Sequence, residues 1–88
     1  PAAPAGAAKR RQRSAEEARR HRARLRAAEA AVLKLERRLG AIDAELAEPA
    51  TYADHDVLRR LLDERAGLED RLRREYDEWA RLVDAGEE

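Results

Sequence analysis

The sequence predicts an all-α fold: an antiparallel two-helix coiled-coil hairpin led by a disordered N-terminal linker. Three observations carry this. The 88 residues are 43% charged and 43% apolar with 3% aromatic and no Phe, Met or Cys, which is too little bulk for a layered core but enough for helices. From Leu25 the apolar positions run Leu25, Ala28, Val32, Leu35, Leu39, Ile42 and Leu46 in alternating steps of three and four, a heptad seam. Glu48-Pro49 then interrupts the pattern and a second apolar face follows. The few Val and Ile are too scattered for strands.

Taken in order, residues 1–13 combine Pro, Ala and Gly with a basic run and read as a flexible linker, ahead of a hairpin over residues 14–86. At Ser14-Ala15-Glu16-Glu17 the S-x-x-E spacing allows a capping box, in which the Ser14 hydroxyl accepts from the Glu17 N–H while the Glu17 carboxylate reaches back. The first helix is therefore expected over 15–47, a rod of roughly 50 Å at 1.5 Å per residue. A rod of that length needs a partner for its apolar stripe. Pro49 ends it by restricting the preceding residue and lacking an N–H, so 48–53 reads as a turn.

Asp54, with Thr51 as competitor, is the expected N-cap of a second helix over 54–85, whose stop is Gly86. This helix carries Leu58, Leu61, Leu62, Leu68, Leu72, Tyr76, Trp79, Leu82 and Val83, with Arg65 and Glu75 interrupting the strict heptad. The short connection favours antiparallel neighbours. A turn centred near 50–53 would set Leu46 against Leu58, Ile42 against Leu62, Leu39 against Arg65, Val32 against Leu72, Ala28 against Tyr76 and Leu25 against Trp79. In that register Tyr76 and Trp79 are core residues closing the open end, and Arg65 lays its stem along the interface to pair with Glu36 or Asp43. Tyr52 is expected to fold back over the helix ends.

Nineteen basic and nineteen acidic residues cancel, but residues 1–38 hold 12 Lys/Arg against 4 Asp/Glu and residues 39–88 hold 7 against 15, so the two parts are +8 and −8. Part of this division reads as complementarity between helices, with Asp77, Glu78 and Asp84 beside Arg20, Arg24 and Arg26. The remainder points to polyanions, because clustered exposed cations release counterions when they neutralise phosphates. The residues assigned to that contact are Lys9, Arg10, Arg11, Arg13, Arg19, Arg20 and Arg26. No aromatic residue interleaves them, so sequence-independent backbone binding is expected.

Other chemistries fall away. His21 and His55 read as a helix-surface and a first-turn residue, and without cysteine there is no thiolate metal or redox site. The adjacent acidic pairs Asp63-Glu64, Glu69-Asp70 and Asp77-Glu78 point in different directions on a helix and have Arg neighbours four residues away, so no catalytic dyad and no enzyme is expected. No cofactor or metal site is assigned. There is no apolar run long enough for a membrane span, and the opening lacks a Met and an apolar signal core, so the chain reads as a piece of a longer protein.

The turn Glu48-Pro49-Ala50-Thr51-Tyr52-Ala53-Asp54 followed by Leu58, then Leu68-Glu69 and the closing Tyr76-Asp77-Glu78-Trp79, resembles the C-terminal coiled-coil domain of ABC-F ATPases of the Uup type. The resemblance covers about residues 20–84. Its Leu/Glu heptads are common to coiled coils; the Pro-x-x-Tyr-Ala-Asp turn together with Tyr-x-x-Trp is the more specific part. Lys9-Arg10-Arg11-Gln12-Arg13-Ser14 stands where the family often has a Lys-Leu-Ser-Tyr-Lys-like segment, and His55 where it often has Pro.

The resemblance implies an accessory arm attached to the second of two ATP-binding cassettes of a non-transporting, cytoplasmic protein. ATP and magnesium would belong to those cassettes; the chain itself has no G-x-x-x-x-G-K-[ST] loop. Implied partners are DNA, structured RNA or the ribosome, and the cassettes of the same chain, with no membrane and a monomeric arm. Two other classes share the pattern. One is a protein–protein or oligomerisation coiled coil using exposed Leu33 and the stripe Leu62, Tyr76 and Val83. The other is the tRNA-binding arm of an aminoacyl-tRNA synthetase.

Overall fold

A computed structural model describes residues 5–87, which form three helices: α1 (Ala5–Leu46), α2 (Pro49–Ala53) and α3 (His55–Glu87). Helices α1 and α3 lie antiparallel in a hairpin with principal extents of 80 × 17 × 15 Å. The all-α hairpin expected from the heptads is the observed architecture.

Helix α1 begins ten residues before the expected start at Ala15, so Ala5–Arg13 are helical rather than a linker. Ser14 lies inside the helix and makes no capping box. Ala, Arg, Lys and Gln, which make up residues 7–13, are all strong helix formers, so propensity carries the helix through the cap signal. Residues 1–4 of the expected linker lie outside the described residues.

The connection is a short helix and not a simple turn. Pro49 occupies the first position of α2, where its missing N–H costs nothing. The Thr51 hydroxyl donates to the Glu45 carbonyl at 2.6 Å, covering one of the free acceptors at the end of α1. Asp54 serves both neighbours. Its backbone N–H bonds the Thr51 carbonyl at 3.3 Å, and its Oδ1 accepts the N–H groups of Asp56 and Val57 at 3.1 and 3.2 Å. Asp54 is thus the N-cap of α3 and Thr51 is not. Tyr52 does not fold back: it stays 56% exposed.

The core lies in the turn-proximal half, where Ile42 is fully buried against Leu61 and Leu68, with Leu35, Leu39, Leu46 and Val57 packed around them. Ile42 meets Leu61 and not the expected Leu62, which remains 49% exposed. Steps of seven from Leu61 and Leu68 lead to Glu75 and Leu82, so the strict heptad governs the seam and leaves Leu62 and Tyr76 one position off it. Glu75 is half-buried while Tyr76 is exposed.

Two ion pairs cross between the helices in this half. Arg38 grips Glu64 with two hydrogen bonds of 2.7 and 2.8 Å, a bidentate geometry that holds the Glu64 carboxyl below its ordinary range and raises the guanidinium. Arg65 donates to Asp43 at 2.7 Å and also pairs with Glu69 on its own helix. The choice between Glu36 and Asp43 left open by the sequence is settled for Asp43.

Gly86 is part of α3 and does not stop it. A Cβ there would lie 2.8 Å from His21 Nε2, so the missing side chain allows the imidazole to seat against the last turn of α3.

Candidate nucleic-acid interface

Antiparallel pairing brings the end of α3 beside the first third of α1. Ala85 and Gly86 line a shallow groove with Ser14, Glu17, Ala18, His21, Arg22 and Arg24, so α1 residues before Ser14 project beyond the partner helix. That overhang carries Lys9, Arg10, Arg11 and Arg13, all exposed. Arg19, Arg20 and Arg26, also exposed, follow on the paired part of α1. From Lys9 to Arg26 the cations cover about 26 Å of helix at 1.5 Å per residue.

The fold does not gather these seven residues onto one compact face. Arg19 and Arg26, seven apart, share one side; Lys9, Arg13 and Arg20 lie around the opposite flank. Arg11 lies on the extended line of the seam, seven residues before Ala18 and fourteen before Leu25. It is exposed. The cations therefore surround the rod, and a bound polyanion could approach from more than one side.

The expected neutralisation by α3 is not made. Among the described residues, the one ion pair formed by the Lys9–Arg26 cations is Arg20 with Glu16, at 4.0 Å on the same helix. Glu78, expected beside them, pairs instead with Arg81 at 2.8 Å. Every cross-helix ion pair among the described residues lies in the turn-proximal half. The charge division is thus left largely uncompensated at the open end.

The aromatic residues depart from the core positions expected of them. Trp79 keeps 37% and Tyr76 44% of its surface, and with Leu33 at 47% they form an exposed apolar patch. The Tyr76 hydroxyl donates to Glu36, which raises the phenol above its ordinary value, and Trp79 Nε1 donates to Glu29 at 3.3 Å. Tyr76 therefore reaches toward Glu36, and Ala28, which it was expected to face, is buried. The sequence signal for this patch was the one-residue offset of Tyr76 from the heptad line through Leu68 and Glu75.

This is an extended helical hairpin with no catalytic motif and, among the described residues, no helix long and apolar enough to cross a membrane. Residues 15–84 match the ABC transporter C-terminal domain, and the chain belongs to that family, the accessory C-terminal domain of ABC-family ATPases typical of ABC-F proteins. No significant match is found among curated proteins or among solved structures. The matched region begins after Lys9–Arg13, so the overhang cations stand outside the part that defines the family.

Proposed function

We propose that this chain is the polyanion-contacting arm of an ABC-F ATPase, gripping the phosphates of DNA or structured RNA, ribosomal RNA included, with Lys9, Arg10, Arg11, Arg13, Arg19, Arg20 and Arg26. The observation that carries the reading is the uncompensated charge of the open end: these cations are exposed, and among the described residues no acidic residue of α3 makes an ion pair with them. Each phosphate neutralised there releases counterions, so affinity falls steeply with salt. Without stacking residues among the cations, the arm distinguishes sequences poorly and responds to backbone shape and charge.

In this reading the arm does no chemistry. ATP and magnesium act in the cassettes of the parent protein in the cytoplasm, and the hairpin, itself monomeric, presents its cations at the open end, where the chain joins those cassettes.

The test is a titration of labelled duplex DNA and of structured RNA with the chain at about 50 and about 200 mM salt. The variant with Lys9, Arg10, Arg11 and Arg13 replaced by Ala is run in parallel. The expected result is binding that weakens with salt, and a variant that binds less tightly with a shallower salt slope, by about 0.9 for each phosphate it no longer neutralises. Absence of binding to either nucleic acid at the lower salt overturns the proposal.

A further inference from the structure

A groove of about 350 Å³ runs along one flank of the open end, lined by Glu29, Val32, Leu33 and Glu36 of α1 and by Tyr76 and Trp79 of α3. We propose that this groove docks a basic amphipathic helix of a partner protein, an interaction separate from the polyanion grip. Its walls are almost entirely apolar, and three of its large side chains, Leu33, Tyr76 and Trp79, are exposed in a chain with only three aromatic residues, Tyr52, Tyr76 and Trp79. Trp and Tyr are the residues that most often anchor protein interfaces.

Both rings are held in place before any partner arrives. Glu36 accepts from the Tyr76 hydroxyl and Glu29 from the Trp79 indole N–H, so little rotamer freedom remains to be lost on binding. The same carboxylates choose the occupant. They stand at the two ends of the groove, seven residues and about 10.5 Å apart along α1, with the apolar surface between them. A helix with Lys or Arg at positions i and i+7 and Leu at i+3 and i+4 places one cation beside each carboxylate and its leucines on Leu33 and Trp79. The exposed ring faces add a favourable surface for those cations. A nucleic acid brings phosphates to the same carboxylates and is repelled there, so of the phosphate-contacting residues Arg26, seven before Leu33 on the same side of α1, borders the groove while Lys9–Arg13 lie away from it.

Trp79 is the single tryptophan and reports occupancy by its emission. The probe is a capped synthetic helix of Leu, Lys and Ala with that spacing, compared with its counterpart carrying Glu in place of Lys. The Lys peptide should give a saturable blue shift and the Glu peptide none. Leu33→Gln, at an exposed position, should weaken binding about tenfold. Glu29→Gln with Glu36→Gln, which keeps an acceptor for both rings and removes only the charge, should do the same; circular dichroism verifies that both variants stay helical.

No saturable shift, an equal shift from the Glu peptide, or unchanged affinity in both variants overturns the proposal. Duplex DNA producing a Trp79 shift that Leu33→Gln abolishes assigns the groove to nucleic acid instead. A concentration-dependent dimer in sedimentation that Leu33→Gln dissolves assigns it to a second copy. Either outcome also overturns the basic helix, and neither bears on the cations of the tip.

Discussion

Near the turn, Ile42 is fully buried against Leu61 and Leu68 and two cross-helix ion pairs flank it; at the open end Tyr76 and Trp79 keep 44% and 37% of their surface and no ion pair crosses between the helices among the described residues. The same two helices thus run from a packed, charge-matched end to a loosely packed, charge-unmatched one. The physical cause is the placement of side chains on the seam. Aliphatic residues of matched size fill the interface near the turn, whereas further out Ala28 offers only a methyl group and the aromatics stand at the rim. Stability is concentrated where the chain reverses, and the cations and the aromatic groove lie where little packing constrains them.

The sharpest way to break this contrast is to empty the packed end. Ile42→Ala should cost about 3–5 kcal/mol, the upper part of the range for a buried Ile, and thermal melting followed by circular dichroism should show loss of most of the cooperative transition. Trp79→Ala, at a half-exposed site, should cost about 2 kcal/mol. A cost for Trp79 equal to or above that for Ile42 would show that the open end is as tightly packed as the turn.

Smaller changes sharpen the picture. Asp54→Ala removes the acceptor for the Asp56 and Val57 N–H groups and should cost about 1 kcal/mol, seen as a lower melting temperature with unchanged nucleic-acid affinity. Two glycines test the helices from opposite ends. A Cβ at Gly40 meets nothing within 4 Å, so Gly40→Ala should stabilise by about 0.5–1 kcal/mol. Gly86→Ala pushes against His21 at 2.8 Å and should bring no such gain.

The smallest effect concerns acid. Glu64, held below its usual 4.5 first by its hydrogen bonds from Arg38, contributes stability that is fully present above pH 4.5 and is lost as pH falls through its folded value. Glu64→Gln should therefore lower the melting temperature slightly at neutral pH, and the difference from the parent should vanish in stronger acid. The pair is solvent-exposed, so its contribution is that of a surface ion pair with good geometry.

Much of the hairpin was legible in the residues. The alternating three and four steps from Leu25 to Leu46 gave α1 its buried stripe, Pro49 ended it, and Asp54 began α3, because each is a local rule that depends on spacing or on one side chain. The start of α1 was not legible at Ser14: a cap signal offers a beginning without forbidding the helix from running through it. The cations from Lys9 to Arg26 were visible as a cluster, but their freedom from α3 was not, since it depends on where the partner helix ends and on which acids find nearer partners on their own helix.

The sequence by itself determined the two long helices, the reversal at Pro49 and the surplus of positive charge on the first helix, since periodicity, proline geometry and charge count are local or additive properties. Only the tertiary structure decided which residues of α3 meet α1. A single helix carries both the line through Leu61, Leu68, Glu75 and Leu82 and the neighbouring line through Leu62, Glu69, Tyr76 and Val83, each with three apolar residues and one glutamate, so hydrophobicity alone does not choose between them. Packing against Ile42 selects the first, and that choice leaves Leu62 and Tyr76 off the seam, with Tyr76 lining a groove beside Trp79.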